Sequence, residues 1–220
     1  MGFLRLMLLG IASLWLALLA YNTVFPPIST LMAARAVRFE RIERRYVPLR
    51  RISPYLVRAV IAAEDGRFCD HHGVDWSALQ AVVSEVVEED DASHGASTIS
   101  MQTAKNLFLW HGFSYVRKPV EIPLALLLDA VWGKRRVMEA YLNVAEFGRG
   151  VFGVEAASRH YFGKSAARLS MREAALLAAV LPSPRRRNPA HPSAFVSLYA
   201  QSIALRAGGV ASACVRRYGA

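Results

Sequence analysis

SPYLVRAVIAAEDGRFCDHHG, Ser53 to Gly73, is the stretch that decides the fold class. Ser53 followed by Pro54 is an N-cap with proline at the first helical position, so a helix opens there. Leu56, Val60 and Glu64 are spaced four apart and fall on one helical face. A carboxylate thus continues an apolar stripe just where the helix ends. Partial burial and the nearby helix C-terminus both disfavour its ionised form, which raises its pKa towards the range of a general acid or base. Asp65 points about 100° away and is free to stay ionised. A plainer role for Glu64 is a cap, or an ion pair with Arg67. His71-His72 with Asp70 and Asp75 matches no strong metal-ligand spacing and reads as a turn with a hydrogen-bonded histidine.

Further helical patterns lie on the C-terminal side: Trp76 to Val87, Ser97 to Leu109, Val120 to Leu142, and Ser170 to Val180. The last opens with a capping box, Ser170-x-x-Glu173. Alternating strand patterns are nearly absent, so the class is mainly α. One globular domain is expected from 36 to 205, with a loosely ordered tail at 206–220.

On the N-terminal side there is no charged residue from Leu6 to Ala34. Leu6 to Phe25 is long enough, at about 30 Å of helix, to cross a bilayer core. Tyr21 and Phe25 suit an interfacial belt, and Pro26-Pro27 ends the helix. Leu19-Ala20-Tyr21 is a poor cleavage site, so residues 6–25 are expected to be an uncleaved transmembrane anchor after a short cytoplasmic segment, 1–5. Arg35, Arg38, Arg41, Arg44 and Arg45 follow the span and Arg5 alone precedes it. That count favours a cytoplasmic domain, yet long domains translocate largely regardless of charge. The residues alone leave orientation open.

The 220 residues carry a formal charge of +10 and are 54% hydrophobic, which excludes a disordered chain and favours anionic partners. Cys69 and Cys214 are the only cysteines; they form no framework or zinc site by themselves and are expected to be free thiols.

Two more constellations carry chemistry. In HGASTISMQTAKNLFLW, His94 to Trp110, the turn Gly95-Ala96-Ser97-Thr98 feeds a helix whose free N–H groups and hydroxyls suit a phosphate. Gln102 and Lys105 share a helical face, with Asn106 beside them; an ordinary capped helix with a polar face is the bland alternative. In YVRKPVEIP, Arg117 and Lys118 next to Glu121 would neutralise a diphosphate while keeping that carboxylate ionised, unless this is only a solvated charge run.

Order and spacing link these segments. EDGRFCDHHG, GASTISMQTAKN, RKPVE, KRRVMEAYLN (Lys134 to Asn143) and GVFGVEAASRHYFGK (Gly150 to Lys164) resemble the successive motifs of the peptidoglycan glycosyltransferases, glycosyltransferase family 51. ASTISMQTAKNLFLW and YLNVAEFGRGVFGVEAA look especially like the monofunctional members, which lack a penicillin-binding domain.

The resemblance implies a lysozyme-like α-helical glycosyltransferase domain with a smaller membrane-associated lobe. It implies polymerisation of lipid II into glycan strands, with the undecaprenyl-diphosphate-linked chain as donor and the GlcNAc 4-hydroxyl of lipid II as acceptor. Glu64 matches the general base and Glu121 the second essential glutamate. Ser97, Gln102, Lys105, Asn106, Arg117 and Lys118 match donor-site positions, and Lys164 lies in the matching YFGK segment. Membrane lipid and cell-wall synthesis or division proteins are the further partners implied, and nucleic acid is not. The implied topology is an inner-membrane protein with its catalytic domain in the periplasm. A divalent cation, magnesium or manganese, at the diphosphate is compatible with this chemistry, although no dedicated ligand set is visible.

Leu107 to Tyr115, with Phe108, Trp110, Phe113 and Tyr115, has the composition of an interfacial surface. The chain departs from the family pattern at Gly95-Ala96, at Met101, where glutamine is usual, and at Pro123, which is expected to kink the chain near Glu121. Two rival readings are a membrane-bound lytic transglycosylase or lysozyme-like enzyme, and a non-enzymatic basic membrane-anchored module.

Overall fold

The structure is a computed structural model that describes residues 2–89, 97–110 and 114–215; the side chains of 2–4, 8, 11, 12, 83–89 and 114–116 lie outside that description. The domain is mainly helical. α1 (Gly2–Val24) and α2 (Thr30–Val37) lead into β1 (Glu43–Arg44), a 3₁₀ turn η1 (Leu49–Arg51) and α3 (Pro54–Glu64). Then come α4 (Trp76–Glu89), α5 (Ile99–Phe108), the long α6 (Ser114–Val144), β2 (Glu146–Gly148), β3 (Val151–Phe152) and α7 (Val154–Phe162). A turn η2 (Ala166–Arg168), α8 (Met171–Val180), α9 (Ala194–Ala207) and a last turn η3 (Ala213–Val215) complete the order.

α3 runs through the core, with Leu56, Val60 and Ile61 fully buried, and packs against α8 and α9. Ser53 is its N-cap residue and Pro54 opens the helix, but the Ser53 hydroxyl donates to Leu169 O at 2.9 Å instead of capping. The capping box at Ser170 and Glu173 forms as expected. α5 lies along α6 and forms the second packing layer.

Several expectations need correction. A three-stranded sheet exists, ordered β1-β3-β2, with β1 parallel and β2 antiparallel to β3. Its strands are two or three residues long, too short to show alternation in sequence. Pro119 and Pro123 sit inside α6, and the one non-helical residue there is Gly133, at φ 65° and ψ 169°. The chain breaks its helical course at Gly133, where no Cβ opposes a positive φ, whereas Pro123 keeps helical backbone angles. Cys69 and Cys214 form a disulfide; the fold, not their spacing, places their Cα atoms 5.6 Å apart. The tail is thereby pinned, and Val215 is buried.

α1 covers the segment read as an anchor. Among the described residues, no helix is long and apolar enough to cross a membrane. The end of α1 is tied to α6: Trp132 Nε1 donates to Thr23 Oγ1 at 2.7 Å, and Arg136 donates to Asn22 O at 2.5 Å. Of the aromatics expected at an interfacial surface, Phe108 is buried in the core and Trp110 is 47% exposed. Phe113 and the Tyr115 side chain fall outside the described residues.

Candidate active site

Glu64 occupies the last position of α3, at the end of its apolar stripe and within hydrogen-bond reach of α5. Its Oε2 accepts a hydrogen bond from Gln102 Nε2 at 2.8 Å, while Oε1 is shut off from solvent with no partner. Burial raises the carboxyl pKa above its ordinary value, against the opposing pull of the Gln102 hydrogen bond and the Lys105 charge. The plainer role is not taken up, because Arg67 reaches Asp75 and Ser77 instead.

Gln102 is oriented in turn by Tyr141, whose hydroxyl donates to Gln102 Oε1 at 3.2 Å. Tyr141 is fully buried, and desolvation beside Glu64 drives its pKa well above 10, so it remains a donor. This fixes the amide with its N–H facing Glu64. Tyr141 lies inside the KRRVMEAYLN segment, yet only the fold shows what it touches. Met101 faces the other way and packs, fully buried, with Val74 and Ala125. Its departure from the family pattern is a core substitution.

Asp65 holds the other side. Both its oxygens meet His71 Nε2, at 3.0 and 3.1 Å, and Oδ2 also accepts from Ile99 N at 2.9 Å. Thr98 caps α5 through Met101 N and donates to Gly73 O at 2.6 Å. The α5 N-terminus, expected to hold phosphate, has therefore already given its first N–H to Asp65. Gly95 and Ala96 lie outside the described residues. Behind His71, Lys134 Nζ pairs with Asp129 at 2.9 Å and lies 3.5 Å from His71 Nδ1. This buried polar network locks the loop after Glu64 onto α5 and α6, and its members are scattered in sequence.

Gln102, Lys105 and Asn106 line one cavity of about 150 Å³ together with Tyr141 and Glu146. Glu121, 2% exposed, accepts from Arg117 Nε at 2.6 Å and lies 3.6 Å from Lys118 Nζ. Arg117 also donates to Trp110 O at 3.1 Å, tying α6 to the end of α5. Burial lowers the Lys105 pKa; Glu121 and Glu64 oppose that shift, while Arg117 and Lys118 add to it. The Lys105 ammonium therefore feels the charge of both carboxylates.

Ser97 contributes only a carbonyl, 3.5 Å from Gln102 Nε2. Lys164 pairs with Glu173 at 2.7 Å and shares no contact with the Glu64 group. Arg187 was not foreseen: its charge acts on Glu64 while its head stacks over Phe195 and Tyr199. No three His, Cys, Asp or Glu side chains gather as a cation site among the described residues.

This arrangement sets one under-solvated carboxylate within the electrostatic reach of Lys105, which in turn feels Arg117 and Lys118, and that suits proton removal near an anionic leaving group. The comparisons point the same way. Residues 31–206 match the family model described as Transglycosylase. A biosynthetic peptidoglycan transglycosylase of Rhodospirillum centenum is 52% identical over 214 residues, covering 96% of this chain and 90% of the relative. Proteins of the same description from Brucella suis and Caulobacter vibrioides are 51% and 44% identical, covering 86% and 98% of this chain and 85% and 92% of the relatives. The chain belongs to the transglycosylase family, and it is a peptidoglycan glycosyltransferase.

Proposed function

We propose that this enzyme polymerises lipid II by inverting transfer of the undecaprenyl-diphosphate-linked chain onto the GlcNAc 4-hydroxyl of an incoming lipid II. Glu64 takes the proton of that hydroxyl as its oxygen forms a bond to C1 of the donor. The bond from C1 to the diphosphate breaks, the electron pair leaves with the diphosphate, and α becomes β. Charge grows on the leaving oxygens, so cations stabilise the transition state there. Lys105, Arg117 and Lys118 supply that charge, with Asn106 and Gln102 on the cleft wall. Glu121 gathers two of the cations and holds them in place.

The observation that carries this reading is the unpartnered Oε1 of Glu64 within the electrostatic reach of Lys105, which in turn feels Arg117 and Lys118. A glycosidase needs a second carboxyl group to protonate a sugar leaving group. Glu121 instead has both oxygens turned to cations, which favours a diphosphate leaving group. The test is incubation of the purified protein with labelled lipid II and separation of polymer from monomer. Polymer from the wild type and none from Glu64→Gln is expected; glycan fragments released from purified sacculi would instead identify a cleaving enzyme.

The same reading gives a lysozyme-like core with a membrane-associated lobe, anchored by residues 6–25 in the inner membrane with the domain in the periplasm. Protein disulfides persist in oxidising compartments and are rare in the cytosol, so the Cys69–Cys214 pair supports that orientation against the local arginine count.

A further inference from the structure

Residues of η1, α3, α6 and the disulfide-held tail line a cavity of about 220 Å³. Ile52, Val57 and Val215 give it an apolar wall, and Arg50, Arg58 and Arg135 line it. Its walls are fixed before any ligand arrives: Leu49 N donates to Glu139 Oε2 at 2.7 Å, and the disulfide holds the tail.

The arginines set it apart. Three other cations buried to a similar degree or more are paired, Arg35 with Glu146, Lys134 with Asp129 and Arg136 with Glu139, while Arg50 at the rim of this cavity is exposed. Among the described residues, Arg50, Arg58 and Arg135 form no ion pair. The Nε atoms of Arg58 and Arg135 are also shut off from solvent with no acceptor. Arg44 and Arg136 share that orphaned Nε, but each donates its terminal nitrogens to a carbonyl of the segment after α1 or at its end. Arg58 stacks only on the Tyr55 ring, at 5.3 Å. A buried guanidinium donor without an acceptor is costly, and a bidentate anion such as phosphate removes that cost.

We infer that this cavity binds a phosphate-bearing amphiphile, the headgroup end of an anionic phospholipid, at a site separate from the Glu64 cleft. Three guanidiniums select a phosphodiester with no compensating cation, and the apolar wall takes the adjoining carbon chain. The lipid source rests on the anchor reading proposed above, whereas the site itself does not.

The full chain in neutral detergent is titrated calorimetrically with dihexanoyl phosphatidylglycerol, dihexanoyl phosphatidylcholine and inorganic phosphate. One phosphatidylglycerol site is expected, with phosphatidylcholine at least ~10-fold weaker because choline would face three guanidiniums. Arg58→Gln with Arg135→Gln should weaken phosphatidylglycerol by about 10- to 100-fold, the range for hydrogen bonds to charged groups. Arg38→Gln with Arg41→Gln should leave it unchanged. Should the glutamine pair fail to fold, Arg58→Lys with Arg135→Lys keeps the charge, loses the planar fork, and should still weaken binding. Inorganic phosphate binding as tightly, with the same arginine dependence, supports the phosphate site and assigns it to the soluble ion. Equal loss in the two glutamine pairs, or loss in neither, overturns the proposal.

Discussion

Gln102 donates to one oxygen of Glu64 and leaves the other oxygen buried with no partner. Half of the carboxylate is held and half is vacant. A buried acceptor left unsatisfied costs about 1–3 kcal/mol, so the fold carries a defect at the position best placed to receive a proton.

Glu64→Gln should abolish polymerisation, because an amide cannot accept the acceptor's proton. It should also stabilise the protein at neutral pH by about 1 kcal/mol, or ~2–4 °C in Tm, by removing a poorly solvated charge. The sign follows from the raised folded-state pKa. The protonated group's contribution is full below the ordinary value of 4.5 and is lost as pH rises through the folded pKa. The Tm advantage of Glu64→Gln should therefore shrink towards zero in acid. Near-normal turnover by the folded variant would remove Glu64 from the mechanism.

The acid limb of the pH–rate profile should lie above the ordinary glutamate range, since the base works only when ionised. Gln102→Ala removes a hydrogen bond that favours the ionised form, so it should move that limb to higher pH. Lys105→Ala should shift it the same way. A limb that stays put in both variants assigns it to another group.

Removing any one of Lys105, Arg117 and Lys118 should cost roughly 2–4 kcal/mol of transition-state stabilisation, about 30- to 1000-fold in rate. Arg117→Lys should also lose activity, since an ammonium cannot keep both the Nε contact to Glu121 and the contact to Trp110 O. Arg38→Ala and Arg41→Ala, outside the cleft's cation group, are the controls, all assayed on lipid II at equal detergent. Equal losses in both groups would assign the basic charge to the membrane alone.

Reduction of the Cys69–Cys214 bond, or Cys69→Ser, should lower stability by about 2–4 kcal/mol, seen as a drop in Tm on adding reductant. In cells, a reporter fused at Ala220 should be active in the periplasm and the two cysteines should resist alkylation. Free thiols and a reporter active only in the cytoplasm would reverse the topology.

Much of this was legible in the amino-acid order. The stripe Leu56, Val60, Glu64 is local, set by 3.6 residues per turn, and it placed a carboxylate at a buried helix end before any contact was known. Gln102, Lys105 and Asn106 share a cleft because helical spacing puts them on one face, and Arg117 reaches Glu121 by the i, i+4 rule. The capping box at Ser170 is likewise written in four residues.

What tertiary structure decided is every contact between elements. Tyr141 meets Gln102 across 39 positions, Cys69 meets Cys214 across 145, and Asp65 takes the Ile99 N–H that a free helix end would offer to phosphate. Periodicity fixes which way a side chain leaves its own helix, because that depends only on backbone geometry. Which group it then meets depends on how helices pack, and no spacing rule carries that across a hundred residues. Lys164 shows the difference: its segment is read from the sequence, and its partner, Glu173 on α8, is given only by the fold.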